Sequence, residues 1–193
     1  MILARNLAAQ AAVIALAAAI LASCDRPAAP SVDASAPATS AAAFKYDEPD
    51  DLSGFYLPAS EAEAGGYALD HVFLGQPAEF TSWQAGTRSA TFAPVMMEFQ
   101  KAGAASPMGM EADGPGSGVR VLPTRYSVEG GRVHFEGTAQ PIGLVVFDGR
   151  LDKGALATAK RNLGGDETPV LVGRLKVGGQ TADNVRLVWY GGD

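Results

Sequence analysis

The sequence predicts a mainly β domain, an antiparallel β-sandwich or barrel-like fold with one packed helix at about 153–163; the alternative is α+β. Three observations lead there. From Leu52 onward, short segments with aromatic and β-branched residues alternate with Gly-rich turns. Several segments alternate apolar and polar residues, the period of a strand with one buried face. One stretch, after Asp152, instead joins a capping residue to apolar residues at helical spacing.

The expected strands are Leu52–Leu57, Tyr67–Leu74, Glu79–Trp83, Ala90–Gln100, Val119–Val128, Arg132–Thr138, Gly143–Leu151, Val170–Val177 and Asn184–Tyr190. A short helix can start at Ser60, with Glu63 completing a capping box. In Tyr67–Leu74, alternation sets His71 beside Tyr67, Leu69 and Phe73 and opposite Asp70. Met96-Met97 falls inside a strand and reads as core. Glu129-Gly130-Gly131 joins the next two strands as a hairpin, and Pro123 marks an edge or bulge in the first. Val133 and Phe135 face one way, and Arg132, His134 and Glu136 the other. Leu144-Val145-Val146-Phe147 is apolar on both faces and reads as a central, fully covered strand. Leu171, Leu175 and Val177 share a face, as do Val185, Leu187 and Trp189, and Gly178-Gly179 suits the tight turn between these strands.

The helix is expected over Lys153–Leu163. Asp152 caps it, and Leu151 and Leu156 make a hydrophobic staple. Leu156, Ala159 and Leu163 form its buried stripe. Lys160 and Arg161 suit its negative end, and Gly164 its C′ position. Lying between two strands, it could make a right-handed parallel crossover or plug one end of a barrel.

The chain carries a net charge of −6. The acidity is concentrated before Gly65; the remainder is almost neutral and has no basic block that would suggest nucleic acid. Asp47-Glu48-Pro49-Asp50-Asp51 lacks the spaced oxygens of a calcium loop and reads as a solvated acidic boundary. Residues 46–193 are expected to form one domain, large enough to fold without disulfides or metals.

The N-terminus has the anatomy of a secretory signal. Arg5 supplies charge, an apolar run spans Leu7 to Leu21, and small residues Ala22 and Ser23 precede Cys24. The run is shorter than the roughly 20 residues a membrane-crossing helix needs. Leu21-Ala22-Ser23-Cys24 resembles the lipobox of bacterial lipoproteins. That resemblance implies cleavage between Ser23 and Cys24, and a thioether-linked lipid with further acylation, such as palmitate, at Cys24. It also implies a periplasm-facing protein, with Asp25 resembling the signal for retention at the inner membrane. Cys24 is the chain's one cysteine, so it has no internal disulfide partner. Asp25 to Ala43 is Ala/Pro/Ser/Thr-rich and reads, with Phe44 and Lys45, as a disordered tether over 24–45.

Catalytic signatures are sparse. There is no G-x-S-x-G, H-E-x-x-H or P-loop. His71 is expected to be a core or rim histidine, and His134 an exposed surface one. Met108 and Met110, in the Gly/Pro/Ser-rich segment Gly103 to Gly118, resemble the M-x-M element of periplasmic copper carriers, but no nearby histidine completes a Cu(I) site. No cofactor, catalytic residue or other metal ligand is assigned. The expected function is a lipid-anchored binding or assembly module of the cell envelope, with an envelope protein or small apolar ligand as partner. The alternatives are a small-ligand or lipid carrier and an envelope hydrolase with acidic catalytic residues.

Overall fold

A computed structural model describes residues 43–103, 118–163 and 167–192. Ser23, Cys24, the proposed tether to Ala42, and the segment with Met108 and Met110 lie outside the described residues. The described strands are β1 (Phe44–Asp47), β2 (Gly54–Pro58), β3 (Glu63–Ala64), β4 (Tyr67–Leu74), β5 (Val95–Lys101), β6 (Val119–Val121), β7 (Pro123–Glu129), β8 (Arg132–Ala139), β9 (Gly143–Leu151), β10 (Leu171–Val177) and β11 (Gln180–Tyr190). Two helices accompany them, α1 (Pro77–Gln84) and α2 (Lys153–Arg161). Among the described residues no helix is long and apolar enough to cross a membrane.

The strands form one curled sheet in the order β1-β7-β8-β9-β10-β11-β2-β4-β5-β6, with β3 beside β4. All pairings are antiparallel except β1 with β7. The fold is therefore mainly β, as the alternation predicts, but it is a half-barrel made from a single sheet. β6 and β7 lie near opposite ends of the strand order, yet only Leu122 separates them in the chain. The stretch expected as one strand, Val119–Val128, is thus bent at Leu122–Pro123. Gly137 makes the bend possible, because a Cβ there would lie 2.5 Å from the Leu122 carbonyl oxygen.

Curling encloses one apolar face. Tyr56, Tyr126, Phe80, Phe99, Phe135 and Phe147 are its largest fully buried side chains. The expected stripes Val133/Phe135 and Val185/Leu187/Trp189 all point into this core. β9 is central, but Leu144 is 48% exposed, so the strand is covered on one face only.

Glu79–Trp83, expected as a strand, is helical. Pro77 occupies the first turn, where its missing N–H costs nothing, and the Glu79 carboxylate accepts from the Gln76 N–H at 2.7 Å. Phe80 and Trp83, three residues apart, then share the buried side. Phe80 stacks on Tyr46 at 4.0 Å and Trp83 meets Phe44 edge-on at 5.9 Å. Phe44 and Lys45 accordingly belong to β1, two residues before the expected domain start. The helix expected from Ser60 is absent, and Glu63–Ala64 pairs instead with β4.

α2 starts at Asp152 as expected, its carboxylate accepting from the Ala155 N–H at 2.9 Å. Because β9 and β10 are antiparallel, the helix is an insertion between neighbouring strands and makes no parallel crossover. Asp152 N–H donates to the Val170 carbonyl at 2.8 Å, closing the strands at its root. The acidic run before β2 is exposed as expected at Asp47, Asp50 and Asp51, but Glu48 departs from it. The Glu48 side chain is fully buried, accepts from the Gly131 N–H and pairs with Lys153. Asp50 lies 3.2 Å from the same Lys153, and these two carboxylates, Glu48 first, raise the lysine's pKa. Lys160 donates to the Asp51 carbonyl at 2.7 Å.

Leu156 is 3% exposed, so Leu156→Ala should cost about 2–5 kcal/mol in denaturant unfolding. Leu163, expected in the same buried stripe, is 87% exposed and has φ of 52°. It buries little and sits where L-residues are strained, so Leu163→Gly should raise stability by about 1 kcal/mol. A loss of stability from Leu163→Gly would contradict this helix end.

Candidate functional site

A histidine, two carboxylates, an amide and an arginine gather on the outer face of β4, β5 and β6. A regular strand would place Asp70 and His71 on opposite faces. β4 is not regular here: its register against β5 slips between Leu69 and His71, leaving Asp70 as an extra residue in a bulge. Leu69 and Val72 both stay buried, and Asp70 and His71 emerge together. His71 keeps Phe73 on its face as expected, but at this bulge Leu69 turns to the core and Asp70, expected opposite, joins His71.

His71 Nδ1 lies 2.6 Å from Asp70 Oδ2, and Gln100 Nε2 donates to Asp70 Oδ1 at 2.7 Å. The hydrogen bond from His71, helped by Gln100, holds the Asp70 carboxyl below its ordinary range despite partial burial. His71 pairs in register with Glu98 and Glu98 with Arg120, forming one row across three strands. Arg120 Nε and Nη2 contact Glu98 Oε1 at 2.6 and 2.5 Å, and Nη1 donates to the Thr91 carbonyl at 2.9 Å. Asp70, His71 and Glu98 each offer a metal-ligating atom within 4.8 Å of the others.

The aspartate orients the imidazole as it would in a general base. Among the described residues, however, no hydroxyl or thiol hydrogen-bonds the His71 ring to serve as its nucleophile. The ring instead meets Phe55 edge-on at 5.2 Å.

Phe55 belongs to an apolar strip on the same face. Tyr190, Phe55 and Phe73 are in register across β11, β2 and β4, and Leu57 is in register with Val188. The Phe55 and Phe73 rings are 5.3 Å apart, and Phe92 lies 5.8 Å beyond Phe73. Leu57 and Tyr190 remain 37% and 36% exposed. Leu57, Asp70 and Gln100 line an open depression of about 320 Å³ that joins the strip to the polar row.

His134 lies elsewhere, on the outer face of β8. Its ring is held between carboxylates, Nδ1 at 2.7 Å from Asp148 and Nε2 at 3.3 Å from Glu136. Sequence reasoning missed Glu98, Gln100 and Arg120, because only the pairing register brings them to His71. One signal was legible: Leu69, Val72 and Leu74 are spaced by three and then two, which a regular strand cannot place on one face.

Because Asp70 titrates below its unfolded value, its contribution to stability is present above about pH 4 and lost as pH falls through the lower folded value. The stability gap between wild type and Asp70→Asn, measured by urea unfolding, should therefore narrow as pH falls from about 5 to about 2. A gap that widens in acid would contradict the hydrogen-bond arrangement.

Against protein families, curated proteins and solved structures alike, the chain has no match.

Proposed function

We propose that this chain is a lipoprotein of the cell envelope, anchored on the periplasmic side of a bacterial membrane by acyl groups on Cys24. Its β-rich domain serves as a binding or assembly module for an envelope protein. The observation that carries the binding role is the apolar strip of Tyr190, Phe55, Phe73 and Leu57 on the solvent side of a sheet whose other side already holds the core. Large aromatic and aliphatic side chains gathered on an outer face are the composition of a protein contact.

The buried face weighs against the carrier alternative. Six aromatic side chains fill it, and an apolar ligand would have to displace them. The hydrolase alternative has a paired Asp70 and His71 but no nucleophile in hydrogen-bond contact with the ring among the described residues. The anchor rests on Leu21-Ala22-Ser23-Cys24, and Asp25 favours the inner membrane. Stable attachment requires more than one acyl chain, since each buried methylene contributes only about 0.8 kcal/mol.

Membrane-extracted protein should give an intact mass for an acylated chain beginning at Cys24, and Cys24→Ser should abolish both acylation and cleavage. In mild detergent, wild type should migrate as a complex, and Leu57→Glu should release the acylated chain alone at unchanged thermal stability. A non-acylated mature chain would sink the anchor. A wild-type chain that migrates alone would sink the binding role.

A further inference from the structure

We propose that Asp70, His71 and Glu98 form a binding site for a divalent transition metal of the zinc class. The site stands independently of the docking role given to the neighbouring strip.

The donor set comes first. One imidazole nitrogen and two carboxylate oxygens, all within 4.8 Å of one another, suit Zn(II) and similar borderline cations. They do not suit Cu(I), which prefers sulfur. The three ligands come from two adjacent strands, so the backbone ladder of β4 and β5 fixes their spacing.

The surrounding contacts leave the right atoms available. Gln100 occupies Asp70 Oδ1, and Oδ2 faces His71. Arg120 makes both its contacts to Glu98 through Oε1, leaving Oε2 for a cation. Glu98 thus has one oxygen held by a neighbour and one to give, whereas Asp70 Oδ1 is held by Gln100 and its Oδ2 must exchange the His71 hydrogen bond for the cation. The held oxygens supply the support that metal ligands need for orientation. With Arg120 counted and the imidazole neutral, the cluster carries a net charge of −1. A divalent cation is attracted there; when it takes the Nδ1 lone pair, the ring's one proton moves to Nε2, so the imidazole stays neutral and no proton is lost.

The backbone is specialised for this arrangement. Bulges interrupt a ladder and re-aim side chains, and they are over-represented beside functional sites. This one brings two adjacent polar side chains to the same face, which a regular strand cannot do. His71 is only 17% exposed and its ring packs on Phe55, so its orientation is already restricted. Zinc ligands at about 2.1 Å from the ion stand roughly 3.4 Å apart in a tetrahedron, so Asp70 and His71 must open slightly and Glu98 must swing inward. Side-chain torsions allow both. Asp70 and Glu98 side chains are 39% and 25% exposed, so water can reach the cluster to supply a fourth ligand. His134 is also flanked by carboxylates, but its two nitrogens go to different ones, so it supplies the control.

The test uses the acylated full chain, stripped of metal and titrated calorimetrically with Zn(II) alone. One equivalent should bind. His71→Gln and Glu98→Gln should each weaken binding at least about tenfold, with the metal-free thermal midpoint of Glu98→Gln close to that of wild type. His134→Gln should bind as wild type does. Should His71→Gln fail to fold, Glu98→Gln decides alone, since it keeps the histidine and the side-chain shape. The proposal is overturned if wild type takes up no zinc at millimolar concentration, or if folded Glu98→Gln binds as tightly as wild type.

Discussion

The structure depends on the corner at Leu122–Pro123. Ten strands in sequence of pairing, with one apolar face, must curl until that face is covered, and a single stretch of chain supplies strands near both ends of the curl. Pro123 cannot donate a ladder hydrogen bond, which makes the residue an apt place to leave one pairing and enter another. Gly137 lets the corner pass close over β8, where a Cβ would also lie 2.7 Å from Val121 Cγ1. Once the corner is set, Phe99 of β5 and Phe135 of β8 belong to one core. α1 extends that core with Phe80 and Trp83, and α2 with Leu156 and Ala159.

The buried Glu48 ties down what the sheet alone would leave loose. Its carboxylate joins the β1–β2 connection to the β7–β8 turn at Gly131 and to the start of α2 at Lys153. A buried ion pair contributes little net stability compared with apolar packing, because desolvation offsets the attraction. Removing the carboxylate would still leave the buried Gly131 N–H without its partner, at a cost of about 1–3 kcal/mol. Its contribution is therefore to fix where these three segments meet.

Much of this was legible in the sequence, and the failures have physical causes. Tyr67–Leu74 and Gly143–Leu151 appear with the expected bounds, and Asp152 caps α2, because these features depend on local pattern. Glu79–Trp83 misled because Phe80 and Trp83 are good strand formers, whereas Pro77 and the Glu79 cap decide for helix. Glu48 read as solvated with the rest of the acidic run because its counter-ion, Lys153, lies about a hundred residues away in the chain. The Asp70–His71 contact was excluded by assuming strict alternation, and one bulge reverses that conclusion. Glu98, Gln100 and Arg120 reach the site through strand register, which composition and spacing do not specify. The lipobox is the opposite case: it is read entirely from local sequence, and the folded domain adds nothing to it.

The central claim is that the domain binds a partner through the face carrying Phe55, Leu57 and Tyr190. A photo-reactive amino acid placed at Leu57 in the full chain, in living cells, tests this most directly. Leu144, exposed on another part of the sheet, is the matched control. The account predicts one discrete protein adduct from Leu57 and none from Leu144. Adduct formation at Leu144 equal to that at Leu57, or none at either position, would contradict it.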